Sequence, residues 1–162
     1  MLENISLTPH FELSEFVTSR KAVEHGISNI PTEEAVANLR RLCENTLEPL
    51  RVALGVPVHI TSGFRTKELN DLLAHSSSTS QHIQGRAADF YVGKGTREEL
   101  IKAFREILQN PKVDFDQLIL YPGFIHVSYV SKEKNRHGIL KAQGNGKLGY
   151  GRLTLANALL IS

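Results

Sequence analysis

The 162 residues are 41% hydrophobic and 22% charged, a composition that predicts one folded domain and excludes a disordered or fibrous chain. The formal net charge of +2 comes with no cluster of Lys and Arg, so the composition does not favour nucleic-acid binding. Cys43 is the only cysteine, which excludes an internal disulfide and a cysteine-based zinc site; we expect a buried, inert thiol.

The N-terminal segment is predicted to form a loop followed by a short helix. Ser14 is the expected N-cap of this helix, and Gly26 is expected to end it. The apolar positions between them predict an inward face, formed by Phe16, Val17 and Val23.

A long helix is predicted from about Thr32 to Leu54. Thr32 is a suitable N-cap, and apolar residues then recur at helical spacing on one face, at Val36, Leu39, Leu42, Cys43, Leu47, Leu50 and Leu54. Pro49 interrupts this pattern, because proline lacks the amide hydrogen of a helix interior, so we expect a kink or a division there.

The middle of the chain alternates short strands and helices. Val58 and Ile60 belong to a predicted strand, and a helix is expected from Lys67 to Leu73. The serine patch from Ser76 to Ser80 predicts a mobile surface loop. Ala87 to Val92 predicts a strand, and Thr96 with Glu99 forms a capping box that opens a helix ending near Asn110.

The C-terminal part begins with a predicted hairpin. Two β-rich runs, Phe115 to Tyr121 and Phe124 to Val130, are separated by a Pro-Gly pair. Ile139 to Ala142 is a candidate edge strand, and the pattern from Leu153 to Ile161 does not decide between helix and strand. The order of elements favours an α+β fold, with a small antiparallel sheet and helices packed on one face.

Three residues in the predicted sheet region suit a divalent metal. His82 and Asp89 lie seven residues apart with Gly85 between them, and side-chain alternation along paired strands would bring Asp89 and His126 to one surface. His82, on the loop before the strand, would complete a three-ligand site of the catalytic zinc type. An isolated histidine is more often a surface or hydrogen-bonded residue, so the alternative is a set of satisfied polar residues at a sheet edge.

The combination of motifs resembles peptidase family M15, the zinc D-Ala-D-Ala carboxypeptidases and peptidoglycan endopeptidases with the hedgehog-like peptidase fold. The resemblance covers roughly residues 8 to 130. It lies in Ser80-Gln81-His82, Gly85, Ala88-Asp89 and Phe124-Ile125-His126-Val127-Ser128, and in Ser62-Gly63-Phe64-Arg65 with Asn70. Phe11-Glu12-Leu13-Ser14-Glu15, Asn29-Ile30-Pro31 and Leu47-Glu48-Pro49-Leu50-Arg51 are similar to one small subgroup.

The resemblance implies a single zinc-peptidase-like domain over residues 1–162, with a specific role for each matching residue. His82, Asp89 and His126 would hold Zn²⁺. Arg65 would stabilise the developing oxyanion or grip a substrate carboxylate, with a surface salt bridge as the alternative. Ser80 would hydrogen-bond substrate, with a loop-structuring role as the alternative.

One position departs from the family pattern. The best-understood members carry an acidic general base three residues before the last zinc-binding histidine, where this chain has Gly123. Asp116 is the nearest acid in the predicted hairpin, just after Asp114, and we take Asp116 as the candidate base. Tyr121 lies closer to the turn and is a poor base at neutral pH, but it can stabilise an intermediate.

The predicted function is hydrolysis of D-amino-acid-containing bonds in peptidoglycan stem peptides, by a carboxypeptidase or an endopeptidase. The alternative is a catalytically weak or inactive metal-bearing module that binds cell-wall peptide or a protein partner, such as a phage structural component. Nucleic-acid binding through the basic tail from Lys132 to Arg152 is disfavoured, because its charges are scattered among glycines. We expect a monomer.

The start of the sequence bears on where the protein acts. Met1 to Asn4 lacks the basic and apolar regions of a secretory signal, and no apolar run approaches the roughly 20 residues that span a bilayer. We therefore expect synthesis in the cytoplasm without a signal peptide or transmembrane segment. Action at the bacterial cell wall would then suit a phage- or prophage-type lysin.

Overall fold

The computed structural model describes residues 3–73, 77–143 and 152–162. The helices are α1 (Leu13–Val17), α2 (Arg20–Glu24), α3 (Glu33–Leu42), α4 (Glu48–Leu54), α5 (Lys67–Leu72), α6 (Arg97–Gln109) and α7 (Leu155–Leu159). A π-helical turn, Cys43–Leu47, joins α3 to α4, and a 3-10 turn, Gln81–Gln84, precedes the central strand. The strands are β1 (Ser6–Thr8), β2 (Phe11–Glu12), β3 (Val58–Ser62), β4 (Ala87–Val92), β5 (Gln117–Leu120), β6 (Ile125–Ser128) and β7 (Gly138–Lys141).

The main sheet has five strands in the order β3-β4-β6-β5-β7. The first four pair antiparallel, and β7 joins the edge in parallel with β5. The strand at Ala87–Val92 and the β5–β6 hairpin confirm the sequence predictions, and the predicted edge strand is β7. The α+β class is therefore confirmed, with β7 making the sheet mixed.

One face of the sheet packs on the helices. The inward residues of β4 and β6 alternate with those of the opposite face, and Phe90 and Val127 are fully buried. They join one core with apolar residues of the helices, including Leu39, Leu42, Leu50, Leu100, Phe104 and Ile107. The core thus fixes one side of the sheet and leaves the other side for the polar residues of β4 and β6.

The long helix is divided where proline predicts it. Pro49 has no amide hydrogen to donate to the carbonyl of Asn45, four residues earlier. That carbonyl instead accepts a hydrogen bond from the Asp114 N–H at 2.9 Å. The preceding turn widens to the π form, and the Glu48 N–H donates to the Cys43 carbonyl. The interruption therefore attaches the helix to the chain that enters β5.

The N-terminal segment differs from the prediction. It forms two short helices, and α1 begins at Leu13, so Ser14 lies inside it. The cap is Glu12, which exchanges hydrogen bonds with Glu15 in a capping box. Val23 was predicted to face inward and is 80% exposed, so that prediction is wrong. The prediction assumed one continuous helix, whereas the segment forms α1 and α2, so the helical spacing from Phe16 does not extend to Val23.

Some positions discussed from the sequence lie outside the residues that the structure describes. His75, Ser76 and the glycine-rich run at 144–151 lie outside them. The run from Leu153 to Ile161, which the sequence left unassigned, contains α7. Among the described residues, no helix is both long enough and apolar enough to cross a membrane.

Candidate metal centre

The central strands bring Asp89 and His126 together. In the antiparallel pairing of β4 with β6, Asp89 is the direct partner of His126, so both side chains lie on the same face of the sheet. The Nδ1 atom of His126 lies 2.8 Å from Oδ1 of Asp89. The predicted pairing is confirmed, and the nitrogen of His126 that faces the carboxylate is Nδ1.

His82 enters from the 3-10 turn before β4. The Ser80 side chain caps that turn by accepting a hydrogen bond from the His82 N–H at 3.3 Å. Gly85 ends the turn with a φ of +71°, and a Cβ there would lie 2.5 Å from the Ala35 carbonyl oxygen. Only glycine fits both the left-handed conformation and the approach to α3. The turn places Nε2 of His82 at 3.5 Å from Oδ1 of Asp89.

A backbone contact sets the orientation of the His82 ring. Its Nδ1 lies 2.7 Å from the carbonyl oxygen of Gly63, and a carbonyl only accepts, so Nδ1 carries the proton. In the neutral ring, Nε2 then keeps its lone pair on the side of Asp89. A carbonyl or carboxylate partner of this kind typically orients a metal-binding histidine.

Gly63 has this position because it has no side chain. A Cβ on Gly63 would lie 2.6 Å from the carbonyl oxygen of Phe16, closer than real Cβ contacts allow. The neighbouring Phe64 N–H donates to that same carbonyl at 2.7 Å. The end of β3 therefore packs directly on the backbone of α1, and its carbonyl reaches His82.

The three side chains form a group that can hold a metal ion. One ligand atom from each of His82, Asp89 and His126 lies within 4.8 Å of the others. Tetrahedral zinc with bonds of about 2.0–2.1 Å separates its ligand atoms by roughly 3.3 Å. The two nitrogen-to-carboxylate distances, 2.8 and 3.5 Å, bracket that value. The three side chains could therefore hold a metal ion, and these two distances are compatible with zinc.

The charges of the group also suit a cation. Burial lowers the pKa of His82, against the opposing effect of Asp89, so the ring is neutral at neutral pH. Burial would raise the pKa of Asp89, but its interactions with His126 and His82 bring it well below its usual range. A neutral imidazole and an ionised carboxylate are the protonation states that bind a metal.

Arg65 lies beside this group. Its backbone N–H donates to the His82 carbonyl at 3.1 Å. Burial lowers the pKa of Arg65, and the nearby Asp89 carboxylate opposes that shift. The Nε atom is buried and has no hydrogen-bond partner among the described residues. The guanidinium thus keeps donor capacity next to the metal ligands.

Asp116, the candidate base, has a different environment. It is 1% exposed, and its carboxylate accepts from the Arg136 N–H and guanidinium at 2.7–3.2 Å and from Gln81 at 3.0 Å. It lies three residues before Ile119, the strand partner of His126, which is roughly 10 Å at the rise of a strand. These contacts are those of a structural carboxylate. They weigh against the role of Asp116 as base, which stays a prediction.

Asp114 is also engaged elsewhere. It accepts hydrogen bonds from Asn135 and the Phe115 N–H, and it pairs with His137 at 2.8 Å. Gly123 is exposed at the turn, and a Cβ there would meet nothing within 4 Å. Among the described residues, the group of candidate ligands contains no acidic side chain besides Asp89.

Several contacts in and around the site escaped sequence reasoning. Asn29 donates to the Val17 and Phe64 carbonyls and accepts from the Thr66 N–H. The asparagine of the Asn-Ile-Pro motif therefore holds the backbone on both sides of Arg65. His10 and His137 had no evident partner in the sequence, yet each pairs with a carboxylate. Their partners are distant in the chain, so spacing carries no signal for them.

Cys43 agrees with its prediction. The residue is fully buried, and burial raises the pKa of its thiol far above the usual value. A thiol in this state is a packing group, as expected from its place on the apolar face of the long helix.

Comparison with known proteins agrees with the geometry. The model of the family described as Peptidase M15 matches residues 9–128, which is most of the chain and contains all three candidate ligands. The chain therefore belongs to peptidase family M15. No curated protein matches the sequence.

Proposed function

We propose that this protein is a zinc-dependent peptidase that hydrolyses D-amino-acid-containing bonds in peptidoglycan stem peptides. The observation that carries the proposal is the group formed by His82, Asp89 and His126 in a chain of family M15. The orientation of His82 by the Gly63 carbonyl adds support, because it presents a free lone pair to the site.

The reaction would be the addition of water to the scissile carbonyl and the cleavage of the C–N bond, with a proton passing to the leaving amine. A bound zinc ion would polarise the carbonyl and bring the pKa of the attacking water to around 7. Arg65 would donate hydrogen bonds to the oxygen that gains negative charge or to a substrate carboxylate. Its free Nε supports this role.

Ser80 remains a proposed substrate contact of lower weight. Its observed hydrogen bond is to the His82 N–H, which is the loop-structuring alternative. Because a hydroxyl can accept one bond and donate another, the capping contact leaves its own hydrogen for a substrate carbonyl. The two roles are compatible.

The proposed site of action is the bacterial cell wall, reached as a phage- or prophage-type lysin. Support comes from family membership, since the matched region contains the metal group. A monomer that acts on wall peptide without nucleic acid is part of the same proposal.

The test is mass spectrometry of purified muropeptides incubated with the zinc-loaded protein, with a chelated sample as control. Loss of one D-Ala mass that chelation abolishes would identify a carboxypeptidase. Internal fragments would identify an endopeptidase. Unchanged masses over a broad panel, with one zinc bound per chain, would refute the peptidase proposal.

The second candidate is a metal-bearing module without catalysis that binds wall peptide or a protein partner. It is favoured by Gly123 at the position of the family's acidic base, together with the engagement of Asp116 by Arg136 and Gln81. A positioned base typically contributes about 10²–10⁴-fold, so its loss would leave binding intact and turnover low. Muropeptide binding by calorimetry without cleavage would support this candidate.

A further inference from the structure

Tyr121 lies on the metal-bearing face of the sheet, beyond the end of β5. In the β5–β6 hairpin, Ile119 is the partner of His126, and the Tyr121 N–H donates to the Phe124 carbonyl at 2.9 Å. Side chains two residues apart on a strand share a face. Tyr121 and Phe124 therefore stand one step from His126 toward the turn, on the same side as the candidate ligands.

The ring of Tyr121 is held in place by Phe124. The two rings are stacked, with centroids 4.4 Å apart and planes inclined by 8°. Such an aromatic pair adds stability beyond the area that it buries. The backbone hydrogen bond at the turn and the ring stack both contact Tyr121, and such contacts favour a preorganised hydrogen-bond donor.

The surroundings keep the hydroxyl protonated. Burial and the Asp89 carboxylate both raise the pKa of Tyr121 above its usual value. The geometric link to the candidate ligands is the strand pairing, in which Ile119, two residues before Tyr121, lies opposite His126. A phenol in this state cannot serve as the missing base at neutral pH, but it remains a hydrogen-bond donor there.

We propose that Tyr121 is a catalytic hydrogen-bond donor of this site, which binds the oxygen of the scissile carbonyl as that oxygen gains negative charge. Arg65 would approach from the loop after β3, and Tyr121 from the hairpin turn. Phe124 would be a positioning residue that acts through Tyr121. The inference rests on the proposed peptidase function and adds a residue to it.

The first test is Tyr121→Phe, which keeps the ring and the stack and removes only the hydroxyl. Loss of one donor to a developing oxyanion lowers kcat by on the order of 10²-fold in known cases. We expect a decrease of that size in the zinc-loaded protein, with KM and zinc stoichiometry unchanged. The matched control is Tyr129→Phe, the same change at a ring that packs in the core on the opposite face of the sheet; its kcat should stay within about twofold of wild type.

A second measurement does not depend on turnover. A phosphinate analogue of D-alanyl-D-alanine carries tetrahedral, anionic oxygens in place of the reacting carbonyl, so a donor to the transition state should also bind it. Calorimetry on the zinc-loaded proteins should show weaker phosphinate binding for Tyr121→Phe than for wild type and Tyr129→Phe. Phe124→Leu, which keeps the hydroxyl and loosens the ring, should give an intermediate loss.

The outcomes separate the two proposals. If wild type cleaves muropeptides and Tyr121→Phe matches it in kcat and phosphinate affinity, the role of Tyr121 is refuted and the peptidase stands. If Tyr121→Phe raises KM with kcat unchanged, the hydroxyl binds the ground state and the catalytic role is also refuted. If wild type neither cleaves muropeptides nor binds the phosphinate, the peptidase proposal fails and the role of Tyr121 fails with it.

Discussion

The charged side chains near the two ends of the β5–β6 hairpin differ in whether their hydrogen-bonding capacity is already used. At the open end, the carboxylate of Asp116 is saturated by Arg136 and Gln81, and both oxygens of Asp114 have partners. Toward the turn, the carboxylate of Asp89 contacts the two candidate histidine ligands, and Nε of Arg65 has no partner among the described residues. The Asp116 and Asp89 side chains are both largely buried, so burial alone does not distinguish a functional carboxylate from a structural one.

The difference is the remaining capacity of each group to bind something else. A saturated buried carboxylate stabilises the fold, and removing one of its partners leaves a costly unpaired group. The group around Asp89 instead contains an imidazole nitrogen, Nε2 of His82, whose lone pair is available to a cation. The predictions below test this division, starting with the metal face.

The largest effect is expected for loss of a ligand. His126→Ala or Asp89→Ala should lower the zinc content to well below one per chain, because two ligands hold the ion poorly. Elemental analysis of the dialysed proteins measures it. The control is His10→Ala, which removes a histidine paired with Glu48 away from the group and should keep full zinc. Unchanged zinc in both ligand variants would eliminate the site.

Gly63→Ala should weaken zinc binding without touching a ligand. The added Cβ would meet the backbone of Phe16 at 2.6–2.7 Å, so the end of β3 must shift and its carbonyl must leave His82. Loss of an orienting partner typically costs about 10–100-fold in metal affinity. Competition with a chelator of known affinity measures this change. Gly123→Ala adds the same methyl group where nothing lies within 4 Å and should have no effect on affinity.

Gly123→Glu should raise kcat on muropeptides by on the order of tenfold, part of the about 10²–10⁴-fold that a well-placed base contributes. The position is exposed, its backbone needs no left-handed conformation, and a Cβ meets nothing within 4 Å. Gly123→Gln has the same size without the proton acceptor and serves as control. Equal kcat in the two variants would show that the lack of an acid at this position is not the reason for slow turnover.

Asp116→Asn should lower the free energy of unfolding by about 1–2 kcal/mol, since hydrogen bonds to charged groups are worth about 1.5–3 kcal/mol and the Arg136 side chain is half exposed. Zinc content should not change. If Asp116 were the base, the folded, zinc-loaded variant would lose most of its turnover. If the role is structural, turnover per folded molecule should persist.

The ion pair between Asp116 and Arg136 predicts that the free energy of unfolding depends on pH in the acid range. Burial opposes ionisation of Asp116, but its bonds to Arg136 and Gln81 lower its pKa below the usual aspartate value. The stabilisation is therefore complete above the pKa of the unfolded chain and is lost as the pH falls through the folded pKa. Urea unfolding from pH 7 to pH 3 should show the wild type and Asp116→Asn converge in the acid range. A constant gap would contradict the prediction.

The sequence predicted the elements that depend on local pattern. Alternation along Ala87–Val92 and along the hairpin was enough to pair Asp89 with His126, and Pro49 located the division of the long helix. The cap of α1 was misplaced because Ser14 is a common cap residue, while the capping box at Glu12 and Glu15 starts the helix earlier. Local chemistry offered two solutions there, and tertiary contacts selected one.

The sequence contains no pattern that predicts contacts between residues far apart in the chain. The Gly63 carbonyl meets a histidine 19 residues later, and Asp116 meets Arg136 20 residues later. The spacing showed that Asp114 and Asp116 are near the site in sequence. Their hydrogen-bond partners determine whether each carboxylate is structural or free to react. The family resemblance identified the candidate ligands, and the structure was needed to show how His82 is oriented.

The strand β7 has a consequence for the behaviour of the whole molecule. It follows the region matched by the family, pairs in parallel with β5, and is extended by the bond from the Ala142 N–H to the Leu120 carbonyl. Without it, the apolar Gln-Leu-Ile-Leu of β5 would be an open edge, which is a template for pairing with another chain. The segment after residue 128 thus protects the sheet from self-association, and a chain shortened before Gly138 should aggregate.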